Sequence, residues 1–167
     1  ETNVLKIVSL GIASGDPNGA YRPEANITRE EFAKLVVLTA GLTPEANPAL
    51  SFADADQIAP WARGYVAAAV KAGIIKGYSD GSFGGKRNIS RAEISAMVVR
   101  ALGEQTGSVP TLKFTDAASV PDWAASYVGK AVEKGIVNGF PDNSFKALEN
   151  ATRAQSAKMI STMLDVK

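Results

Sequence analysis

Residues 73–102 read GIIKGYSDGSFGGKRNISRAEISAMVVRAL, and 62 positions later residues 135–164 read GIVNGFPDNSFKALENATRAQSAKMISTML. The match extends upstream: laid on Phe114–Leu164 without a gap, Phe52–Leu102 is identical at 20 of 51 positions. Among the shared pairs are Phe52/Phe114, Asp54/Asp116, Trp61/Trp123, Tyr65/Tyr127, Gly77/Gly139, Asp80/Asp142, Phe83/Phe145 and Arg91/Arg153. Moving 62 positions the other way finds a third copy, in which Gly11, Gly15, Asn18, Tyr21 and Arg29 replace Gly73, Gly77, Asp80, Phe83 and Arg91. Self-similarity at this period marks a repeat architecture. Glu1 aligns with Arg63, so the first copy lacks the Phe-x-Asp…Trp segment, and the 167 residues amount to three periods less 19. The copies are assigned to residues 1–47, 48–108 and 109–167.

Each complete copy reads as helix, loop, helix. The first helix is predicted from about Pro60 or Pro121, a residue favoured at the first helical position, to a terminating glycine, Gly73 or Gly135. Its apolar stripe is Trp61, Tyr65, Val66, Ala69 and Val70. A turn-rich loop follows, Gly77-Tyr78-Ser79-Asp80-Gly81 in the second copy and Gly139-Phe140-Pro141-Asp142-Asn143 in the third. The second helix carries Ile94, Met97, Val98, Ala101 and Leu102 at the spacing of a helix packed on one side. Two short amphipathic helices cannot bury their own face. The reading is therefore all-α, with three helix-loop-helix repeats packed together. The pattern alone allows either an open solenoid or a closed three-fold bundle.

The second helices open alike: Thr28-Arg29-Glu30-Glu31, Ser90-Arg91-Ala92-Glu93 and Thr152-Arg153-Ala154-Gln155. Ser or Thr at the N-cap with Glu or Gln at N3 is a capping box. It accounts for Thr28, Ser90, Thr152, Glu31, Glu93 and Gln155. It does not account for the arginines, since a cation in the first turn opposes the helix dipole by a few tenths to about 1 kcal/mol. Beside free N–H groups at a helix start, an arginine makes a site for a carboxylate or phosphate. The competing reading is that Arg29, Arg91 and Arg153 pair with acids of neighbouring copies and pin the bundle. Trp61 and Trp123 are core residues by default, or else stacking faces for a sugar; Asp54 and Asp116 could cap helices. Asp80 and Asp142 suit tight turns, and Gly15, Gly77 and Gly139 supply turn geometry or, less simply, let a ligand approach the backbone. Asp54-Ala55-Asp56 invites a calcium reading, but Ala118 stands at the second acid's place in the third copy and no EF-hand pattern follows. No metal or cofactor is expected.

Composition narrows the classes further. With 18 basic and 17 acidic side chains the net charge is +1, which removes the footprint of a nucleic-acid binder. No apolar run approaches the roughly 18 residues needed to cross a bilayer. With neither cysteine nor histidine there is no disulfide frame, no thiolate or imidazole metal ligand and no Ser-His-Asp triad. Carboxylate catalysis survives that filter, but the repeat spreads the acids evenly instead of concentrating one pair. The chain opens at Glu1, with neither Met nor signal peptide, and is expected to be a processed or excised piece.

The order Phe-x-Asp, Trp-Ala, Gly-Ile-Ile-x-Gly-Tyr-x-Asp-Gly-Ser-Phe and Ser-Arg-Ala-Glu resembles the S-layer homology repeat, over nearly the whole chain. The resemblance implies a three-pronged, pseudo-three-fold helical domain, secreted and held non-covalently in the Gram-positive cell wall. It implies a secondary cell wall polymer as ligand, ending in N-acetylmannosamine that carries a 4,6-linked pyruvate ketal. Grooves between repeats would hold that sugar, the ketal carboxylate meeting Arg29, Arg91 and Arg153. Trp61, Trp123, Asp54, Asp116, Gly15, Gly77, Tyr78, Gly139 and Phe140 would contact it elsewhere. Neighbours in a surface lattice would be met through the rest of a parent protein. Three arginines but two Phe-x-Asp…Trp segments lead to an expectation of at most two complete grooves, whether an arginine is matched with the tryptophan of its own copy or the next. A protein-binding helical scaffold explains the amphipathic helices equally well but gives no reason for the arginines.

Overall fold

The computed structural model describes residues 2–15, 20–108 and 110–167. Six helices make up the frame: α1 Thr2–Ser9, α2 Arg29–Ala40, α3 Pro60–Lys71, α4 Arg91–Ala101, α5 Asp122–Glu133 and α6 Arg153–Val166. Single turns of 3-10 helix, Ala55–Gln57 and Ala117–Ser119, precede α3 and α5. Pro60 stands at the start of α3 as expected, whereas Pro121 sits one place earlier, at the N-cap of α5. The shift follows from the repeat itself, because Pro121 aligns with Ala59 and Asp122 with Pro60.

The repeats close into a ring. Helix α3 of the second repeat packs on α2 of the first, α5 packs on α4, and α1 packs on α6. The long second helices α2, α4 and α6 meet one another at the centre. Between them the chain forms three isolated antiparallel bridges, Thr28 with Asn88, Ser90 with Asn150, and Thr152 with Asn26. Ile89 N–H donates to Ile27 C=O at 3.0 Å, Ala151 N–H to Ile89 C=O at 3.0 Å, and Ile27 N–H to Ala151 C=O at 3.2 Å. A solenoid would leave the last of these unmade. The closed pseudo-three-fold bundle is the architecture.

One continuous core fills the ring. Phe32, Phe83, Phe145, Ile89, Ile94, Ile136, Ile160 and Met163 are all buried at its centre. The stripe read on the first helices is core only in part. Val66 and Ala69 are buried, but Trp61 and Trp123 are 51% and 52% exposed.

Candidate functional site

All three capping boxes form. The hydroxyls of Thr28, Ser90 and Thr152 accept from the N–H groups of Glu31, Glu93 and Gln155, whose side chains accept in return from the N-cap N–H. The next two donors of each helix are also taken, by the loop of the following repeat. Arg29 and Glu30 N–H donate to Arg87 and Gly85 C=O, Arg91 and Ala92 N–H to Glu149 and Ala147 C=O, and Arg153 and Ala154 N–H to Ala25 and Pro23 C=O. This corrects the sequence reading: at α2, α4 and α6 the helix-start N–H groups beside the arginines are not free for an anion, because they dock the repeats together. Any anion site there must rest on side chains, the guanidinium first among them.

Each guanidinium is held in a cup formed by the following repeat. Arg29 donates from Nε to Phe83 C=O at 2.9 Å and from Nη2 to Lys76 C=O at 3.0 Å. Arg91 repeats this with Phe145 C=O at 2.8 Å and Asn138 C=O at 2.7 Å. Both arginines are buried, at 3% exposure. Arg153 reaches Ser14 C=O from Nη2 at 3.3 Å, while its buried Nε has no hydrogen-bond partner among the described residues. An aromatic ring floors each cup. The guanidinium carbon lies 4.4 Å from the Tyr78 centroid for Arg29, 4.6 Å from Phe140 for Arg91 and 4.7 Å from Tyr21 for Arg153. Tyr78 and Phe140, read in the sequence as sugar contacts, thus lie against the arginines. Tyr21 does the same service from the position aligned with Phe83, a role not read from its place in the repeat; Asp16, aligned with Tyr78, and Asn18 lie outside the described residues.

Charge divides the three. Arg29 is ion-paired with Glu93, which also accepts from the Tyr78 hydroxyl at 3.1 Å, and Arg153 pairs with Glu31 at 3.1 Å. For these two the pinning reading holds. For Arg91 the residue aligned with Glu93 is the neutral Gln155, and no ion pair to Arg91 is formed among the described residues. Burial pushes its guanidinium down, while Glu149 and Asp116 push it back up.

Two large grooves open beside the arginines. One, of about 580 Å³, is lined by Ile12–Gly15 and Tyr21 of the first repeat, Glu31, Lys34 and Leu35 of α2, Trp61 and Tyr65 of α3, and Arg153. The other, of about 650 Å³, brings Arg29 together with Lys76-Gly77-Tyr78, Glu93, Met97 and Arg100, and Trp123 of α5. Each groove therefore takes its arginine, its loop and its tryptophan from three different repeats. The matching differs from both cases weighed in the sequence. Arg153 faces the tryptophan of the second repeat and Arg29 that of the third, the copy behind it around the ring, because each first helix packs on the second helix before it. Arg91, with Gly139 and Phe140 beside it, is the arginine for which the chain has no third tryptophan. Lys34 and Arg100 entered no sequence expectation, Arg100 aligning with Leu38 and Thr162, and Tyr65 was read only as part of the apolar stripe.

Asp54 and Asp116 line neither large groove. Asp54 accepts from Phe83 and Gly84 N–H at 2.8 and 2.9 Å, and Asp116 from Phe145 and Lys146 N–H, both at 2.8 Å. Burial raises these carboxyls, but the paired N–H donors outweigh it and hold both below the usual range. Phe52 and Phe114 stack on Phe83 and Phe145, so Phe-x-Asp is a clamp that shapes the arginine's cup from behind. Gly77 and Gly139 serve the same clamp: a Cβ at either would lie 2.6 or 2.7 Å from the ring of Phe52 or Phe114. The close approach there is by phenylalanine. Asp80 and Asp142 bond the N–H two residues on, at Ser82 and Ser144, as tight turns require. Among the described residues no cluster of acids suits a metal ion, and no helix is long and apolar enough to cross a membrane.

The family model described as the S-layer homology domain matches residues 1–33, 51–94 and 113–157. Cell surface glycoprotein 1 of Acetivibrio thermocellus is 32% identical over 90% of this chain, and an Endoglucanase of a Bacillus species is 35% identical over 92%. The Cellulosome-anchoring protein of Acetivibrio thermocellus is 31% identical over 90%. The chain spans only 7%, 16% and 35% of these three relatives.

Proposed function

The chain belongs to the S-layer homology family of bacterial cell-surface proteins, whose repeats are cell-wall anchoring modules, and from that premise we propose that it holds a pyruvylated secondary cell wall polymer in its two tryptophan grooves. The observation that carries this reading is one arrangement made twice. A guanidinium, buried at Arg29 and partly buried at Arg153, and a half-exposed indole line one cavity of about 600 Å³, with Arg153 and Trp61 in one case and Arg29 and Trp123 in the other. A pyranose offers C–H faces to an indole, and a ketal carboxylate offers two oxygens to a guanidinium edge. Gly15, Gly77 and Tyr78 line these grooves and would touch the sugar rim. Glu31 and Glu93 already neutralise the two arginines, so the ligand's carboxylate has to share or displace them; a neutral acetamido sugar without the ketal gains nothing from that exchange.

At the third arginine the terms are reversed. Arg91 forms no ion pair among the described residues, yet no indole stands opposite Gly139 and Phe140. Charge without a shelf makes this the weakest sugar site of the three. Two sites on one polymer raise avidity well above either alone. Lattice neighbours and any enzymatic activity belong to the remainder of a parent protein. No catalytic residue is assigned to this chain.

The test is co-sedimentation of the chain with purified wall sacculi before and after chemical removal of the ketal. Binding that survives depyruvylation unchanged would overturn the role given to Arg29 and Arg153.

A further inference from the structure

Trp61 does not serve one cavity alone. With Tyr65 it also lines a second cavity, of about 590 Å³, whose far wall is the connection from α2 to the second repeat, Pro44–Pro48. We propose that this second cavity is a continuation subsite, holding the inner, uncharged sugar units of the polymer chain whose pyruvylated end lies in the Trp61 groove. The inference rests on the terminal-sugar reading above and extends it along the ligand.

Continuity is the first argument. Trp61 and Tyr65 are the ridge between two cavities of nearly equal size, so a chain leaving one passes directly into the other. The second is chemistry. Pro44, Pro48 and Pro60 present rigid C–H surfaces beside the two aromatic rings, which suits the faces of pyranoses. The charged groups on this wall have protein partners: Glu45 pairs with Lys71 at 3.0 Å, and Arg63 donates to Ala55 C=O at 2.5 Å. The third is preorganisation. Glu45 N–H donates to Gly64 C=O at 3.0 Å, and a Cβ on Gly64 would lie 2.7 Å from Glu45 C=O, so glycine lets the connection sit directly on α3. A wall fixed in advance costs the ligand little ordering.

The wall is kept only in part in the sequence before the other tryptophan, where Pro48 aligns with Pro110. Pro44, Pro60 and Arg63 align with Thr106, Asp122 and Ala125. The Trp61 groove therefore reads polymer length, and the Trp123 groove reads the terminal unit alone.

Calorimetric titration tests this with two probes, the pyruvylated terminal monosaccharide and a pyruvylated tetrasaccharide cut from the wall polymer. The protein is the full chain carrying Trp123→Ala, an exposed position whose loss silences the other groove. The tetrasaccharide is expected to bind at least tenfold more tightly than the monosaccharide. Adding Asn47→Trp, an exposed position on the cavity wall, should abolish that gain while leaving monosaccharide affinity within twofold and the melting temperature unchanged. Equal affinity for the two probes, or a gain that survives Asn47→Trp, overturns the subsite while the terminal-sugar reading stands. If neither probe binds even the unsubstituted chain, the terminal-sugar reading falls and takes the subsite with it.

Discussion

The junction where α2 enters the loop of the second repeat and the junction where α4 enters the loop of the third share their backbone bonds and differ in where they put charge. In both, two helix-start N–H groups reach loop carbonyls at 2.9 to 3.1 Å, and a buried arginine bonds two more carbonyls. At the first, Glu30 is buried at 3% exposure, accepts from Ala59 N–H at 3.2 Å and pairs with Lys86, while Glu93 neutralises Arg29. At the second, every one of these partners is replaced: Glu30 by Ala92, Gly85 by Ala147, Ala59 by Pro121, Lys86 by Leu148 and Glu93 by Gln155. The replacements are mutually consistent. A Cβ on Gly85 would sit 2.7 Å from a Glu30 carboxylate oxygen, and a proline at position 59 would have no N–H to offer. The difference teaches that main-chain pairing sets the ring and side chains give each junction its own key, so α2 fits the second loop and not the third.

The comparison breaks most violently if the wrong key is cut. Ala92→Glu would bury a carboxylate against Ala147, Leu148 and Pro121 with no cation and no donor, and should cost more than about 3 kcal/mol in denaturant melts. Next comes Lys86→Met, which strands Glu30 on one N–H; a loss of about 2–3 kcal/mol is expected, discounted because Lys86 itself is largely exposed. Glu30→Ala frees an exposed lysine and leaves a small void, for about 1–2 kcal/mol, so in a double-mutant cycle the two losses should not add. Gln155→Glu runs the other way. It offers Arg91 the partner that Arg29 already has and should raise stability by up to about 1 kcal/mol, a few degrees in melting temperature. The smallest effect should be shared by both junctions. Asp54 and Asp116 have folded pKa values below the unfolded value of about 3.9, so their contribution is present above that pH and lost as pH falls through the folded values. Melting curves of Asp54→Asn and Asp116→Asn between pH 6 and 2.5 should flatten equally, and unequal slopes would show that the two clamps are not equivalent.

Much of this was legible along the chain. The period gave the three copies, the boxes gave the starts of α2, α4 and α6, and the S-layer homology resemblance is met by the family match. What stayed hidden was whatever the ring brings together. Sequence shows Arg29 and Trp123 as members of different copies, and only closure of the ring makes them face one another. The same holds for Asp54: its loop position suggested a cap or a ligand contact, while its partners lie 29 and 30 residues downstream. Burial of the arginines also changes what their removal means. Arg91→Ala would orphan two carbonyls and should lower stability as well as binding.

The three central bonds, Ile27 to Ala151, Ile89 to Ile27 and Ala151 to Ile89, have a mechanical consequence. In an open stack the outermost repeat touches one neighbour and melts first, each loss exposing the next. Here every repeat has two neighbours and lends its N–H to one and its C=O to the other. There is no outermost member from which fraying can start, so the three repeats stand or fall together in one cooperative step.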